Sequence, residues 1–332
     1  MQAMVIRRFG GPEVFELAEL NKPAVKPGYV LVKVSASSVN PIELKIRSGL
    51  VPAIAHEFPA VLNSDFSGQI VAVGDDTAPW KIGDKVFGFA GGAGTLQGAL
   101  AEYMLVDAKL IAKKPNNIDD AQAALFPVVS ITAWEALVEK ASVKIGDKVL
   151  IHGAAGGVGQ IALQIAKAQG AIVYGTVRRE EQTVVAKAFG ADYIINTANE
   201  SVEEYTAKYT DNKGFDIVMD PVGGDNLANS FKAVKMKGAV CTTNARVTVD
   251  IGLMHSKAIS LHAVFIMMSL LYNRDREKHG QILQRVAALI EANKLRIHVD
   301  KQQFRFDEIA KAHEYVESRK ALGKVSLISS FI

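Results

Sequence analysis

The segment Lys148–Arg179 constrains the fold of this chain more than any other part of the sequence. It contains the apolar run 149–151, a glycine-rich turn, an amphipathic stretch and a second apolar run over 171–177. Strand, glycine loop, helix and strand in this order form the βαβ unit that binds a dinucleotide, although a purely structural glycine turn is the alternative. Glycines let the backbone approach a pyrophosphate, and the first N–H groups of the helix face its charge. The loop residues expected to contact the cofactor are Gly153, Ala155, Gly156, Gly157 and Val158, and Gly159 completes the glycine pattern.

The sequence after residue 118 alternates helical patterns with short apolar runs. This alternation predicts a parallel, doubly wound sheet, with the cofactor over the carboxyl ends of the strands. After residue 272, helices over 279–293 and 307–318 and a last strand over 324–329 do not continue the alternation. We expect them to return to the first domain. The expected strand ends are His152-Gly153, Val177-Arg178, Asp220 to Gly223 and Thr242 to Asn244.

The first 125 residues have a different pattern, in which short alternating strands are separated by proline and glycine. This pattern is typical of a compact all-β unit. A short helical turn is expected after Asn40-Pro41 and is expected to end at Gly49. The glycine-rich segment 90–98 contains nothing that would hold it, so we expect a mobile loop, either a lid or a surface excursion.

Composition excludes several classes of protein. A chain of 332 residues favours two domains, and a net charge of +3 with scattered lysines and arginines does not suggest a nucleic acid partner. A single cysteine, Cys241, excludes a disulfide framework and a four-thiolate zinc site. The N-terminus lacks a secretion signal, and the apolar stretch 259–272 is too short to span a bilayer of roughly 30 Å. We therefore expect no membrane contact and a cytoplasmic protein.

Two arginines at the end of the second strand indicate which dinucleotide binds. A carboxylate at this position usually binds the ribose 2′-hydroxyl of NAD, whereas a guanidinium can hold a 2′-phosphate. Here the strand ends in Arg178-Arg179, and Glu180 and Glu181 follow inside the next helix. The pattern favours NADPH over NADH. The alternative is that both arginines are solvated surface charges, although cations are unfavourable beside a helix N-terminus.

Four motifs together resemble the medium-chain dehydrogenase/reductase superfamily. They are VNPIELKIRSG, NSDFSGQIVAVG, GAAGGVG and ESRKALGKVSLI, and within the superfamily they are most similar to the zinc-independent quinone oxidoreductases, the ζ-crystallin group. The resemblance implies an α/β protein with a GroES-like, β-rich catalytic domain over residues 1–125 and 267–332. It also implies a Rossmann NADP-binding domain over residues 126–266, and a homodimer.

The same resemblance bears on metal binding. Zinc members of the superfamily hold a catalytic metal with cysteine and histidine, and the matching positions here are Asn40, Ser64 and Val128. None of these is a thiolate or an imidazole, the structural-zinc lobe is missing, and His56 has no second histidine or cysteine near it in sequence. The resemblance therefore implies no metal.

The family's site residues carry over position by position. The resemblance implies that Asn40 contacts substrate and that Thr132 lies at the nicotinamide, although a turn residue and a core threonine would look the same. Lys45 and Val51 stand where several relatives carry tyrosines, and Thr197 replaces another. The cofactor contacts implied are the pyrophosphate loop, Thr176 and Arg179 near the 2′-phosphate, Asn244 at the nicotinamide half, Phe265 at the carboxamide, and Arg319, which a solvated helix-end arginine would equally resemble.

Without a metal, a simple ketone or alcohol would need another strong electrophile, and neither a Ser-Tyr-Lys set nor a buried acid is evident. A quinone needs less assistance, so an NADPH-dependent quinone reductase is the first hypothesis. Reduction of activated C=C bonds, in enals, enones or enoyl thioesters, is the second. A non-catalytic NADPH sensor or structural protein is the third. The apolar run 258–268 could pair edge strands in a homodimer or be buried within one chain.

Overall fold

The computed structural model describes residues 1–331 and divides into two compact units. Unit 1 comprises Met1–Val128 together with the chain from Ile266 onward, and unit 2 comprises Val129–Phe265. Each unit has its own sheet and its own buried core.

The strands are β1 (Gln2–Ile6), β2 (Phe15–Glu19), β3 (Tyr29–Ser38), β4 (Asp65–Val73), β5 (Lys85–Phe89), β6 (Tyr103–Asp107), β7 (Ile111–Lys113), β8 (Lys148–Ile151), β9 (Ile172–Val177), β10 (Tyr193–Asn196), β11 (Phe215–Asp220), β12 (Val234–Thr242), β13 (Ser260–Ala263), β14 (Val299–Arg305) and β15 (Lys324–Ile328). The helices are α1 (Pro41–Arg47), α2 (Asp120–Ala123), α3 (Pro127–Trp134), α4 (Gly157–Ala168), α5 (Glu180–Ala188), α6 (Val202–Thr210), α7 (Asn226–Ala233), α8 (Gly252–Ser256), α9 (Met268–Tyr272), α10 (Arg276–Glu291) and α11 (Ile309–Glu317).

Unit 2 is a six-stranded parallel sheet in the order β10-β9-β8-β11-β12-β13. Helices α4 to α8 connect successive strands, which confirms the predicted doubly wound sheet. The strand order reverses between β8 and β11, because β9 and β10 lie on one side of β8 and β11 to β13 on the other. Ligands of such sheets bind at the carboxyl ends of the strands beside this reversal. The fold therefore predicts a ligand site at the loops that follow β8, β9, β11 and β12.

Unit 1 is built around a mostly antiparallel sheet in the order β14-β15-β3-β4-β5-β7, with β6 also paired to β3. Its long central strand β3 is buried over most of its length, and only Lys33 is exposed. The last strand, β15, lies beside β3, so the C-terminal segment completes the sheet that the first residues begin. The predicted β-rich unit is confirmed.

The glycine-rich segment 90–98 is packed, so the expectation of an unsupported mobile loop was wrong. Its residues 90–93 are buried, and its backbone forms hydrogen bonds to other segments of the same polypeptide. The Gly94 N–H donates to the Ile54 carbonyl and the Gly98 N–H to the Val61 carbonyl, each at 2.9 Å. Glycine is needed here for close packing: a Cβ on Gly98 would lie 2.6 Å from the Asn63 carbonyl oxygen.

The helical stretch Asp120–Lys140 is long and apolar enough to cross a membrane by length and composition alone. It comprises α2, α3 and a π-helical turn over Glu135–Lys140. About two thirds of its apolar part (67%) is buried inside the protein, as in a helix of a protein core.

Candidate functional site

The glycine loop, residues 153–159, connects β8 to α4 in unit 2. Gly153 has a φ of +60°, a conformation that costs little only for glycine. A Cβ on Gly159 would overlap the Gly153 carbonyl oxygen and would lie 2.9 Å from the Ala154 Cα. Helix α4 begins at Gly157, and its first N–H groups have no partners within the helix. The loop therefore places a helix N-terminus against a closely folded backbone, as an anion site requires.

Strand β9 holds the start of this loop. The Gly153 N–H donates to the Thr176 hydroxyl at 3.2 Å, and the Ala154 N–H donates to the Thr176 carbonyl at 2.9 Å. The same hydroxyl lies 3.2 Å from Nδ1 of His152, which is buried. Burial lowers the pKa of His152, although the carboxylate of Asp220 raises it. Thr176 is itself buried, and its hydroxyl is occupied in shaping the loop.

Asp220 organises the loop after β11, a role that the sequence did not reveal. Its carboxylate accepts hydrogen bonds from the N–H groups of Val222 and Gly223, at 3.1 and 2.8 Å, and from the side chains of Asn226 and Ser230, at 3.1 and 2.8 Å. The side chain of Asn244 donates to the Val222 carbonyl at 3.2 Å. The loops after β11 and β12 are therefore joined at the edge where the glycine loop lies.

The two arginines at the end of β9 remain accessible. Arg178 is exposed, and Arg179 is partly exposed, with its Nε 3.1 Å from a carboxylate oxygen of Glu181. The side chains of this ion pair are 38% and 54% exposed. Surface pairs of this kind stabilise a protein by only about 0–1 kcal/mol. The guanidinium of Arg179 can therefore exchange Glu181 for a stronger anion at little cost.

The remaining predicted residues differ in exposure. In unit 2, Thr132 is buried in α3 and Phe265, after β13, is 45% exposed. In unit 1, Lys45 in α1 and Val51 are half-buried. Arg319 is exposed, directly after the C-terminal end of α11, and has a φ of +57°.

Asn40, by contrast, lies in a buried polar cluster of unit 1, which we define as Ser38, Asn40, Glu43, Ser64, Asp65 and Lys324. The Asn40 amide nitrogen donates to Asp65 at 2.9 Å, and its oxygen accepts from the Lys324 ammonium at 2.6 Å. The Asn40 backbone N–H donates to the Glu43 carboxylate at 2.6 Å. The Ser64 hydroxyl donates to the other oxygen of the same carboxylate at 2.8 Å. Every member of the cluster is at most 5% exposed.

The cluster contains one ammonium and two carboxylates that are shielded from water. Burial and the neighbouring Asp65 raise the pKa of Glu43 to about 7, against the lowering effects of Lys324 and the hydrogen bonds. Burial also raises the pKa of Asp65 and lowers that of Lys324. The expectation that the chain has no buried acid was therefore wrong, because both Glu43 and Asp65 are buried.

The three positions that align with zinc ligands do converge on this cluster. Asn40 and Ser64 belong to it, and the Val128 backbone N–H donates to Asp65 at 2.8 Å. These groups do not fit a zinc ion, because Val128 offers only a hydrogen-bond donor and the Lys324 ammonium would repel a cation. Among residues 1–331, no group of three or more histidines, cysteines, aspartates and glutamates is arranged to hold a metal.

One local signal could have pointed to part of the cluster. Asn40 and Glu43 occupy the first and last positions of a capping box, which predicts contact between their side chains and backbone. Asp65 and Lys324 carry no such signal, because they begin separate strands that only the tertiary fold brings together.

Comparison with known proteins gives a consistent set of relatives. Two family models match, one described as an alcohol dehydrogenase GroES-like domain over residues 26–116 and one as a zinc-binding dehydrogenase over residues 189–327. Quinone oxidoreductase of Homo sapiens is 33% identical over 330 residues, which cover 99% of this chain and 98% of that protein. A chloroplastic NADPH-dependent alkenal/one oxidoreductase of Arabidopsis thaliana is 33% identical, covering 98% of this chain and 78% of that protein. The crystal structure of Escherichia coli quinone oxidoreductase complexed with NADPH superposes with a TM-score of 0.88 at 28% identity, covering 99% of this chain and 100% of that one.

Proposed function

Since this chain belongs to the zinc-independent quinone oxidoreductase group of the medium-chain dehydrogenase/reductase superfamily, we propose that it transfers hydride from NADPH to a quinone. The observation that carries the choice of acceptor is the buried polar cluster. An ammonium and two carboxylates surround the positions where zinc-dependent relatives place their metal ligands. Because the residues at these positions do not fit a metal, we infer an acceptor that is itself electrophilic and needs little polarisation.

The cofactor-binding residues follow from the loops of unit 2. The glycine loop and the N-terminus of α4 receive the pyrophosphate, and Arg178 and Arg179 receive the 2′-phosphate. When bound, NADPH supplies the hydride. We propose Gly153, Ala155, Gly156, Gly157, Val158, Arg178, Arg179, Asn244, Phe265 and Arg319 as its contacts, and Thr176 as the residue that shapes the glycine loop beside it.

On the substrate side, we propose that Asn40 and Thr132 lie beside the nicotinamide. A quinone that accepts hydride develops negative charge on its oxygen, and hydrogen-bond donors stabilise that charge. Lys45 and Val51, in place of the tyrosines of several relatives, are proposed to line the acceptor side. Unit 1 would then act as the catalytic domain and unit 2 as the NADP-binding domain.

A steady-state assay tests this function directly. Purified protein should oxidise NADPH in the presence of 1,2-naphthoquinone, with a higher kcat/KM than for a simple ketone such as cyclohexanone. Chelators should leave the rate unchanged, because no step depends on a metal. Tight NADPH binding with no reduction of any quinone, enone or enoyl thioester would refute the proposal and favour a sensor or structural protein.

Reduction of an activated C=C bond is the second candidate. The specific observation in its favour is the relative named for alkenals and enones, which is as similar to this chain as the human quinone oxidoreductase. The chemistry is related, since hydride addition to an enone also places negative charge on a carbonyl oxygen. Parallel assays with an enone and with crotonyl-CoA separate the two. Activity confined to these substrates would replace the quinone as acceptor.

The preference for NADPH depends on the charge of Arg179. Replacing this residue with aspartate should weaken NADPH binding by about tenfold or more, because the loss of one charge-assisted phosphate contact amounts to about 1.5–3 kcal/mol. Binding of NADH should change little. Isothermal titration with both cofactors measures the ratio, with Arg305→Asp as the control, because Arg305 forms a similar exposed pair with Asp307 in unit 1. Equal weakening for NADH and NADPH would contradict the assignment.

We also propose a cytoplasmic homodimer that pairs through β13. This strand lies at the edge of the unit 2 sheet, and Ser260, Leu261 and Ala263 are exposed. An exposed edge strand with apolar side chains is suited to pairing with a second copy across a two-fold axis. Sedimentation velocity tests the assembly, and a monomer at micromolar concentration would contradict it.

A further inference from the structure

Lys324 uses all of its hydrogen-bonding capacity inside the buried polar cluster. An ammonium has three N–H donors, and here they reach the Ser38 hydroxyl at 2.8 Å, the Val39 carbonyl at 3.1 Å and the Asn40 side-chain oxygen at 2.6 Å. The Asp65 carboxylate, 3.7 Å away, provides the opposite charge. Lys324 is 5% exposed, and all three of its N–H donors have partners. Its side chain is therefore held in one orientation.

This arrangement also fixes the orientation of the Asn40 amide. Its oxygen faces an ammonium and its nitrogen faces a carboxylate. Rotating the amide by half a turn would place the NH₂ group against Lys324 and the oxygen against Asp65, which creates two repulsive contacts. The amide oxygen has two lone pairs, and Lys324 occupies one of them.

We propose that Lys324 is a positioning residue for hydride transfer, which acts by orienting the amide of Asn40. This inference rests on the proposed function, in which Asn40 lies beside the nicotinamide. Lys324 contacts neither substrate nor cofactor in this scheme. Its ammonium holds the Asn40 amide in one orientation and so fixes the position of the Asn40 side chain beside the nicotinamide.

A kinetic double-mutant cycle tests whether Lys324 acts through Asn40. Lys324→Met removes the charge and keeps the length of the side chain, and should lower kcat by about 10- to 100-fold, as expected when a reacting geometry is disturbed. The dissociation constant of NADPH should change less than twofold. Combined with Asn40→Ala, Lys324→Met should cause no further loss, because the group that it orients is already missing. Losses that multiply in the double variant would overturn the proposal.

Lys257 provides a matched control in unit 2. Its ammonium also makes three hydrogen bonds, to the carbonyls of Phe231, Lys232 and Val234 at 3.1, 2.8 and 2.8 Å. Lys257→Met should lower the melting temperature but leave kcat unchanged, with or without Asn40→Ala. If Lys257→Met lowers kcat as much as Lys324→Met, the effect reflects general loss of stability and the proposal fails.

Two further measurements keep the proposal testable if the single variant folds poorly or the acceptor is wrong. Lys324→Met combined with Asp65→Asn removes both charges and should restore folding without restoring kcat; restored kcat would overturn the proposal.

Failure of the wild-type protein to reduce any acceptor refutes the proposed function alone. The melting temperatures of the same Lys324 and Asn40 cycle, measured without substrate, should still be non-additive, and additive losses would overturn the orienting contact itself.

Discussion

Replacing Asp65 with alanine is expected to lower the free energy of unfolding of unit 1 by about 3–5 kcal/mol, the usual cost of removing one partner of a buried ion pair. The carboxylate of Asp65 accepts hydrogen bonds from Ser38, Asn40 and the Val128 backbone at 2.7, 2.9 and 2.8 Å. It also faces the ammonium of Lys324. Its removal leaves three hydrogen-bond donors and the buried ammonium of Lys324 without their common acceptor. Because Asp65 is fully buried, water cannot replace the lost contacts.

The chain offers a convenient probe for this measurement. Its two tryptophans are divided between the units, with Trp80 in unit 1 and Trp134 in unit 2. In a Trp134→Phe background, Trp80 fluorescence during urea denaturation follows unit 1. Asp307→Ala is the control, because Asp307 forms an exposed ion pair with Arg305 in unit 1 and its loss should not measurably shift the denaturation midpoint. A loss for Asp65→Ala below about 1 kcal/mol, the range of exposed pairs, would contradict the buried ion pair.

The two units differ in how much of their polar structure the sequence predicts. The βαβ unit with its glycine loop could be predicted because its signals are local: glycines, a helix and two strands follow one another within the segment 148–179. The buried polar cluster could not, because Ser38 and Lys324 are 286 residues apart and meet only when β15 pairs with β3. A charged side chain at the start of a strand is usually solvated, so neither Asp65 nor Lys324 predicts burial alone.

The segment 90–98 illustrates the opposite error. Its glycines suggested mobility, since glycine is common in flexible loops. In the structure they allow close approach of backbone to backbone: a Cβ on Gly92 would lie 2.9–3.0 Å from backbone atoms of Asn63. Composition cannot distinguish a glycine that makes the backbone flexible from one that leaves room for another segment to pack closely. The difference depends on which distant segment packs against the glycine.

Gly159 is a position where we expect such space to affect the binding of the cofactor. Replacing it with alanine is expected to weaken NADPH binding by roughly 10- to 100-fold, because overpacking typically costs about 1–3 kcal/mol and each 1.4 kcal/mol is a factor of ten. The added Cβ would overlap the Gly153 carbonyl oxygen, so α4 must move away from the loop. The N–H groups at its N-terminus would then no longer converge on the proposed pyrophosphate site.

Titration of NADPH fluorescence measures this effect, and Gly252→Ala is the matched control. Gly252 also lies at the start of a helix in unit 2, but the nearest atoms to an added Cβ there belong to the flexible Asp250 side chain, 3.1 Å away. The control should bind NADPH as the wild-type protein does. An affinity of Gly159→Ala within twofold of wild type would mean that α4 can withdraw without disturbing the phosphate contacts, and that the helix N-terminus is not what holds the cofactor.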